Sequence, residues 1–214
     1  MHFVDPSREV LAETLLAAGP DAPTLCEGWR TRHLAAHLYL REHSPRVALG
    51  LLMTSRAKTS DQVTDRLAAT LSSEDSYSRL VEDFRAGPPA LSPLRLAPLD
   101  EAANLAEFFV HTEDVRRATD RWAPRALDGA YADALWDEVV RRAAFLYRGV
   151  DLGVVLVSTL GPRHVAKRAP VSVAIVGDPG ELLLHAFGRR AQALVTFEGQ
   201  PDAIALLDSA DIGH

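Results

Sequence analysis

Apolar residues recur at helical spacing through the first two thirds of the chain. Beyond that point they gather into short β-branched runs. Val10, Leu11, Thr14 and Leu15 share one face between Asp5-Pro6, a helix start, and Gly19-Pro20, a stop. A second helix begins near Trp29 and runs through Leu34, His37, Leu38 and Arg41. Pro45 is expected to kink or split it before Val47 to Leu52. Further helices are predicted over Asp61–Leu71, Glu74–Arg85, Asp100–Thr119 and Asp128–Arg148, with a Pro-punctuated connection from Leu91 to Leu99. Val154–Leu160, Val171–Val176 and Leu194–Phe197 have strand character. Glu181–Arg190 and Pro201–Leu207 read as short helices. The pattern predicts a mainly α chain, with a helical bundle over residues 1–149 and a small α+β domain over 150–214.

One predicted helix breaks the apolar pattern. Between Asn104 and Val115, the residues Leu105, Phe108, Phe109, Val110 and Val115 mark a buried element. Asn104, Glu107, His111 and Asp114 fall within a stripe roughly 80° wide on that helix. A polar stripe inside an apolar helix is costly unless its members are paired, hydrogen-bonded or metal-bound. Glu107 and His111, four residues apart, make half of a divalent-metal site. His37, flanked by apolar residues at helical spacing, supplies a third donor from another helix. Two imidazoles and one carboxylate suit Zn²⁺, Ni²⁺, Fe²⁺ or Mn²⁺ and leave coordination positions open. Asp114 is placed to orient His111. The same spacing also serves an ordinary ion pair, and a lone inward histidine also serves as a hydrogen-bonded core residue. His33 and His37 form a competing pair four residues apart.

Composition narrows the setting. With 214 residues, 47% hydrophobic and 24% charged, the chain fits one domain or two small ones. A net charge of -6 argues against nucleic acid or anionic membranes as partners. No signal pattern or transmembrane run is visible, and one cysteine, Cys26, excludes an internal disulfide. A cytoplasmic location is expected. Cys26 reads as a small buried hydrophobe without an obvious activating neighbour. Trp29 reads as a packing anchor, and Arg116 and Arg117 as structural.

Thr24-Leu25-Cys26-Glu27-Gly28-Trp29, followed by Leu34-Ala35-Ala36-His37-Leu38, resembles the opening of DinB-like helical bundles related to mycothiol-dependent maleylpyruvate isomerase. The run from Asn104 to Ala118 resembles the second signature of that group. Arg41-Glu42-His43-Ser44-Pro45-Arg46 is similar to a segment of one metal-binding branch, and Val176 to Arg189 to the group's small C-terminal domain. The resemblance implies a DinB-like four-helix bundle with His37, Glu107 and His111 as metal ligands, zinc foremost. It also implies a mycothiol-type thiol as co-substrate. A metal-activated thiolate would then add to an electrophilic small molecule, giving isomerisation or S-transfer. Arg189 becomes a candidate catalytic residue for holding an anionic substrate, with a salt bridge to Glu181 as its competing role. The chain departs from the group at His33, where an acidic residue is common. A metal-dependent hydrolase and a non-catalytic metal- or small-ligand-binding protein are the alternative functions, and no general base for a hydrolase stands out.

Overall fold

The computed structural model describes residues 2–44, 57–90 and 92–213. Pro45 and the run from Val47 to Leu52 lie outside them. The chain is mainly helical and divides into two compact units, Met1–Ala123 and Pro124–His214.

In the first unit, α1 spans Val4–Ala18, α2 Thr31–His43, α3 Ala57–Ala69, α4 Glu74–Arg85 and α5 Ala97–Arg116. Helix α1 packs on α4 and α5, and α2 packs on α3 and α4. Leu11, Leu15, Leu34, Leu38, Tyr77, Phe84, Leu105 and Phe108 are fully buried between them. These are the apolar stripes that helical periodicity marks, and their burial is the main stabilising contribution. Helix α5 starts before Asp100 because Pro98 is tolerated in its first turn. At the start of α2, the His33 imidazole accepts from the Arg30 backbone N–H at 3.1 Å. An acidic side chain at this position would accept the same hydrogen bond. His33 therefore serves the helix start.

A charged cluster lies inside this apolar frame. Arg8 is buried and donates to Glu42 and to Asp100, the latter at 3.5 Å. Its guanidinium lies 5.3 Å from the Phe84 ring and 4.9 Å from the Phe108 ring. Asn104 donates from one amide nitrogen to Glu42 at 3.0 Å and to Asp100 at 2.7 Å. Burial pushes the carboxyl pKa values of Glu42 and Asp100 above the ordinary range, against the opposing pull of Arg8 and, for Asp100, of Asn104.

The second unit contains α6 (Gly129–Leu146), β1 (Gly153–Ser158), β2 (Arg163–Lys167), β3 (Ser172–Gly177), α7 (Pro179–Ala186), β4 (Thr196–Glu198) and α8 (Pro201–Ser209). The sheet order is β2-β1-β3-β4, with β1 and β3 parallel and both outer pairs antiparallel. Helix α6 packs against α7 and β2, so it belongs with the sheet. The division therefore falls at Ala123–Pro124, and the boundary expected near residue 150 is corrected. Strand β2 is also new relative to the sequence pattern. It is an edge strand of sequence Arg-His-Val-Ala-Lys in which only Ala166 is buried, so it has no apolar alternation to reveal it. Gly177-Asp178-Pro179-Gly180 joins β3 to α7 as a turn, with Asp178 at the helix cap. His185 is a core residue. The Tyr147 hydroxyl and His185 Nδ1 share a hydrogen bond at 2.9 Å, and burial, then Arg190, pushes the imidazole pKa down to about 4. Among the described residues, no helix is long and apolar enough to cross a membrane.

Candidate metal centre

The polar stripe of α5 is buried as its spacing requires. Asn104 and Asp114 have no exposed surface, His111 is buried, and the Glu107 side chain keeps 23% exposure. His37, buried on α2, faces the same point, with its ring 5.4 Å from that of His111. One donor atom from each of His37, Glu107 and His111 lies within 4.8 Å of the others. Trp29 flanks His37 at a ring separation of 5.3 Å, which matches its expected packing role.

Hydrogen bonds fix the orientation of the set. Asp114 accepts from His111 Nδ1 at 2.9 Å, which directs Nε2 toward Glu107 Oε2, 3.3 Å away. Arg41, one turn beyond His37, places Nη1 3.6 Å from Glu107 Oε1. Its guanidinium is held by the Ala103 carbonyl at 2.7 Å and Asn104 Oδ1 at 3.2 Å. Arg41 therefore joins the centre to the Arg8 cluster through Asn104.

The electrostatics differentiate the three donors. Burial, then the neighbouring His111, pushes the His37 pKa down to about 3, so it presents a neutral imidazole. Burial disfavours a charge on Glu107, but Arg41, His111 and His37 outweigh it and hold the carboxyl well below the usual range. Burial also disfavours a charge on His111. Hydrogen bonds to Asp114, Cys26 and Glu107 overcome this and raise its pKa well above that of an ordinary histidine.

A divalent ion fits this donor chemistry. It requires neutral imidazoles and an ionised carboxylate. The set supplies an unprotonated His37 and an anionic Glu107, and His111, held protonated by its hydrogen bonds, would release its Nε2 proton on binding while Asp114 keeps its far nitrogen anchored. Neighbouring ligands on a tetrahedral ion sit roughly 3.4 Å apart, so modest side-chain movement closes the group. Asp114→Asn is expected to weaken metal binding about 10–100-fold by removing the charged acceptor that orients His111. A competition titration against a chelating dye measures this, and an unchanged affinity would deny Asp114 that role.

The sequence pattern assigns no site role to two participants. Cys26, expected to be a small buried hydrophobe, is half-buried and donates its thiol to Asp114 Oδ2 at 3.2 Å. The loop carrying it is pinned to α5 by the Leu25 N–H, which donates to the Asp114 carbonyl at 3.0 Å. That tertiary contact leaves no local pattern. Arg41 did have a signal, its four-residue spacing from His37. Arg189 belongs to the second unit, where it donates to the Phe187 carbonyl at 2.6 Å and helps close the end of α7. Glu181 accepts from the Leu194 N–H at 2.8 Å. Arg116 and Arg117 both bind Glu113, at 2.8 and 2.5 Å, in the structural role expected of them. No family model matches the chain, and no curated protein or solved structure matches it either.

Proposed function

We propose that the protein binds a divalent metal through His37, Glu107 and His111, and that it is a thiol-dependent enzyme of the isomerase or S-transferase type. The observation that carries the metal reading is the convergence of these three donors within 4.8 Å, from two helices, around an ionised carboxylate. The thiol chemistry and a DinB-like bundle rest on the resemblance of the Thr24–Leu38 and Asn104–Ala118 segments to the maleylpyruvate isomerase group. Zinc is the foremost metal and mycothiol the expected thiol. A bound divalent ion lowers the pKa of a coordinated thiol, so that its thiolate is available near neutrality.

The chain's own residues have distinct tasks in this reading. His37 contributes a neutral donor, and Asp114 fixes the tautomer and direction of His111. Arg41 holds Glu107 ionised and adds a positive charge beside the centre, where it favours an anionic electrophile. Arg189 is carried by the second unit, and its part in substrate binding stands only on the resemblance. A non-catalytic metal-binding protein is the second reading. It is favoured by the ion pairs Glu107 already makes with Arg41 and His111, which give the buried charges a structural use.

The test is a turnover assay. The zinc-loaded chain is given maleylpyruvate with and without mycothiol, and substrate loss and thiol adducts are followed by mass spectrometry. Thiol-dependent turnover in the parent and its loss in Glu107→Ala are expected. Turnover without thiol, or none with zinc, nickel, iron or manganese, would overturn the enzymatic reading.

A further inference from the structure

His111 has two ring nitrogens, and each faces its own donor group. Nε2 lies 3.3 Å from Glu107 Oε2. Nδ1 lies 2.9 Å from Asp114 Oδ2, and the same oxygen lies 3.2 Å from Cys26 Sγ. One donor atom from each of Cys26, His111 and Asp114 falls within 4.8 Å of the others, a second such group among the described residues.

We propose that Cys26, Asp114 and His111 Nδ1 form a separate site for a thiophilic divalent cation, zinc or cadmium in class. The site shares His111 with the centre proposed above but none of its other donors. The geometry suits a single ion. Zinc bonds of about 2.3 Å to sulfur and about 2.0 Å to nitrogen or oxygen place neighbouring ligands roughly 3.2–3.6 Å apart. The sulfur–oxygen and nitrogen–oxygen separations are already close to that range. Asp114 Oδ2 now accepts two hydrogens, one from the Cys26 thiol and one from His111 Nδ1. An ion bound here replaces both, releases two protons, and bonds the thiolate, the imidazole nitrogen and the carboxylate.

Charge favours the exchange. Thiolate and carboxylate together carry two negative charges, which neutralise a dication at a buried position. The Glu107 group offers one carboxylate and no thiolate, and has the Arg41 cation beside it, so it compensates less of a dication's charge. Thiolate donors also select zinc-like over manganese-like ions. The Cys26 loop is positioned before any metal arrives. Leu25 is tied to α5, and Thr24 Oγ1 donates to the Trp29 carbonyl at 2.9 Å. Cys26 is half-buried and the following Glu27 and Gly28 are exposed, which opens a route for the ion from solvent.

Cobalt is the probe, because a thiolate ligand gives Co²⁺ a near-ultraviolet charge-transfer band. The demetallated full chain is titrated with Co²⁺ beside Cys26→Ser and His37→Gln. The band is expected in the parent and in His37→Gln, and absent from Cys26→Ser. A parent without the band overturns the proposal. So does a band lost in His37→Gln, which would place the thiol on the other centre's ion. Cobalt bound by Cys26→Ser with visible d–d absorption alone reports the His37–Glu107–His111 centre, so the two readings fail independently. A second measurement needs no variant. The chain has a single cysteine, and zinc is expected to slow its alkylation by iodoacetamide at least about ten-fold, since the metal-bound sulfur is a poorer nucleophile. An unchanged rate overturns the proposal.

Discussion

Purified without a polyhistidine tag, the parent chain is expected to carry at least one equivalent of zinc, nickel, iron or manganese, and Glu107→Ala/His111→Ala almost none. Elemental analysis of the two proteins side by side measures it. The double substitution leaves His37 as the sole donor of its group, and one imidazole does not retain a divalent ion through purification. It also removes the shared histidine, so no donor set containing His111 survives. The local scaffold keeps its backbone ties, because Leu25 bonds the carbonyl of Asp114 and Arg41 bonds that of Ala103. Far-ultraviolet circular dichroism of the variant should therefore match the parent. Equal metal in both proteins, or negligible metal in both, would reduce Glu107 and His111 to a buried ion pair braced by Arg41 and Asp114.

That pair was legible because helices repeat. A Glu and a His four residues apart, flanked by Leu105, Phe108 and Phe109, are forced onto one inward stripe by periodicity alone. His37 was legible for the same reason on α2. Cys26 was not, because its position depends on a loop and on a contact between residues 88 apart in sequence. The helices followed similarly. Glu74–Arg85 was predicted at both ends, where Ser73 caps the first turn and Gly87 lies just beyond the last. Periodicity shows that α6 has an apolar face but not what covers it, which is why that helix was assigned to the wrong unit. Strand β2, exposed and basic, lacked any hydrophobic signal.

The Arg8 cluster yields the largest expected effect on stability. Arg8→Met is expected to destabilise the first unit by about 3–5 kcal/mol near neutral pH, the usual cost of stranding a buried charge. Methionine occupies much of the space between Phe84 and Phe108, so most of the loss is electrostatic. Glu42 and Asp100 are left facing each other across Asn104, without the cation that offsets their burial. Urea unfolding followed by helix content measures the change. The pH dependence identifies its cause. Both carboxyls already have folded-state pKa values above their unfolded values, and removing Arg8 raises them further. An acid raised in this way binds more protons in the folded than in the unfolded state. Its penalty is therefore present above the folded pKa and relieved as pH falls through that value toward the unfolded one near 4. The deficit of Arg8→Met should shrink between about pH 7 and pH 5. Adding Glu42→Met should recover part of it at neutrality, since a buried ion pair replaced by apolar groups of similar size is often tolerated. A deficit that is the same at both pH values would mean that Arg8 acts through packing on the two phenylalanine rings, and that the carboxylates do not depend on its charge.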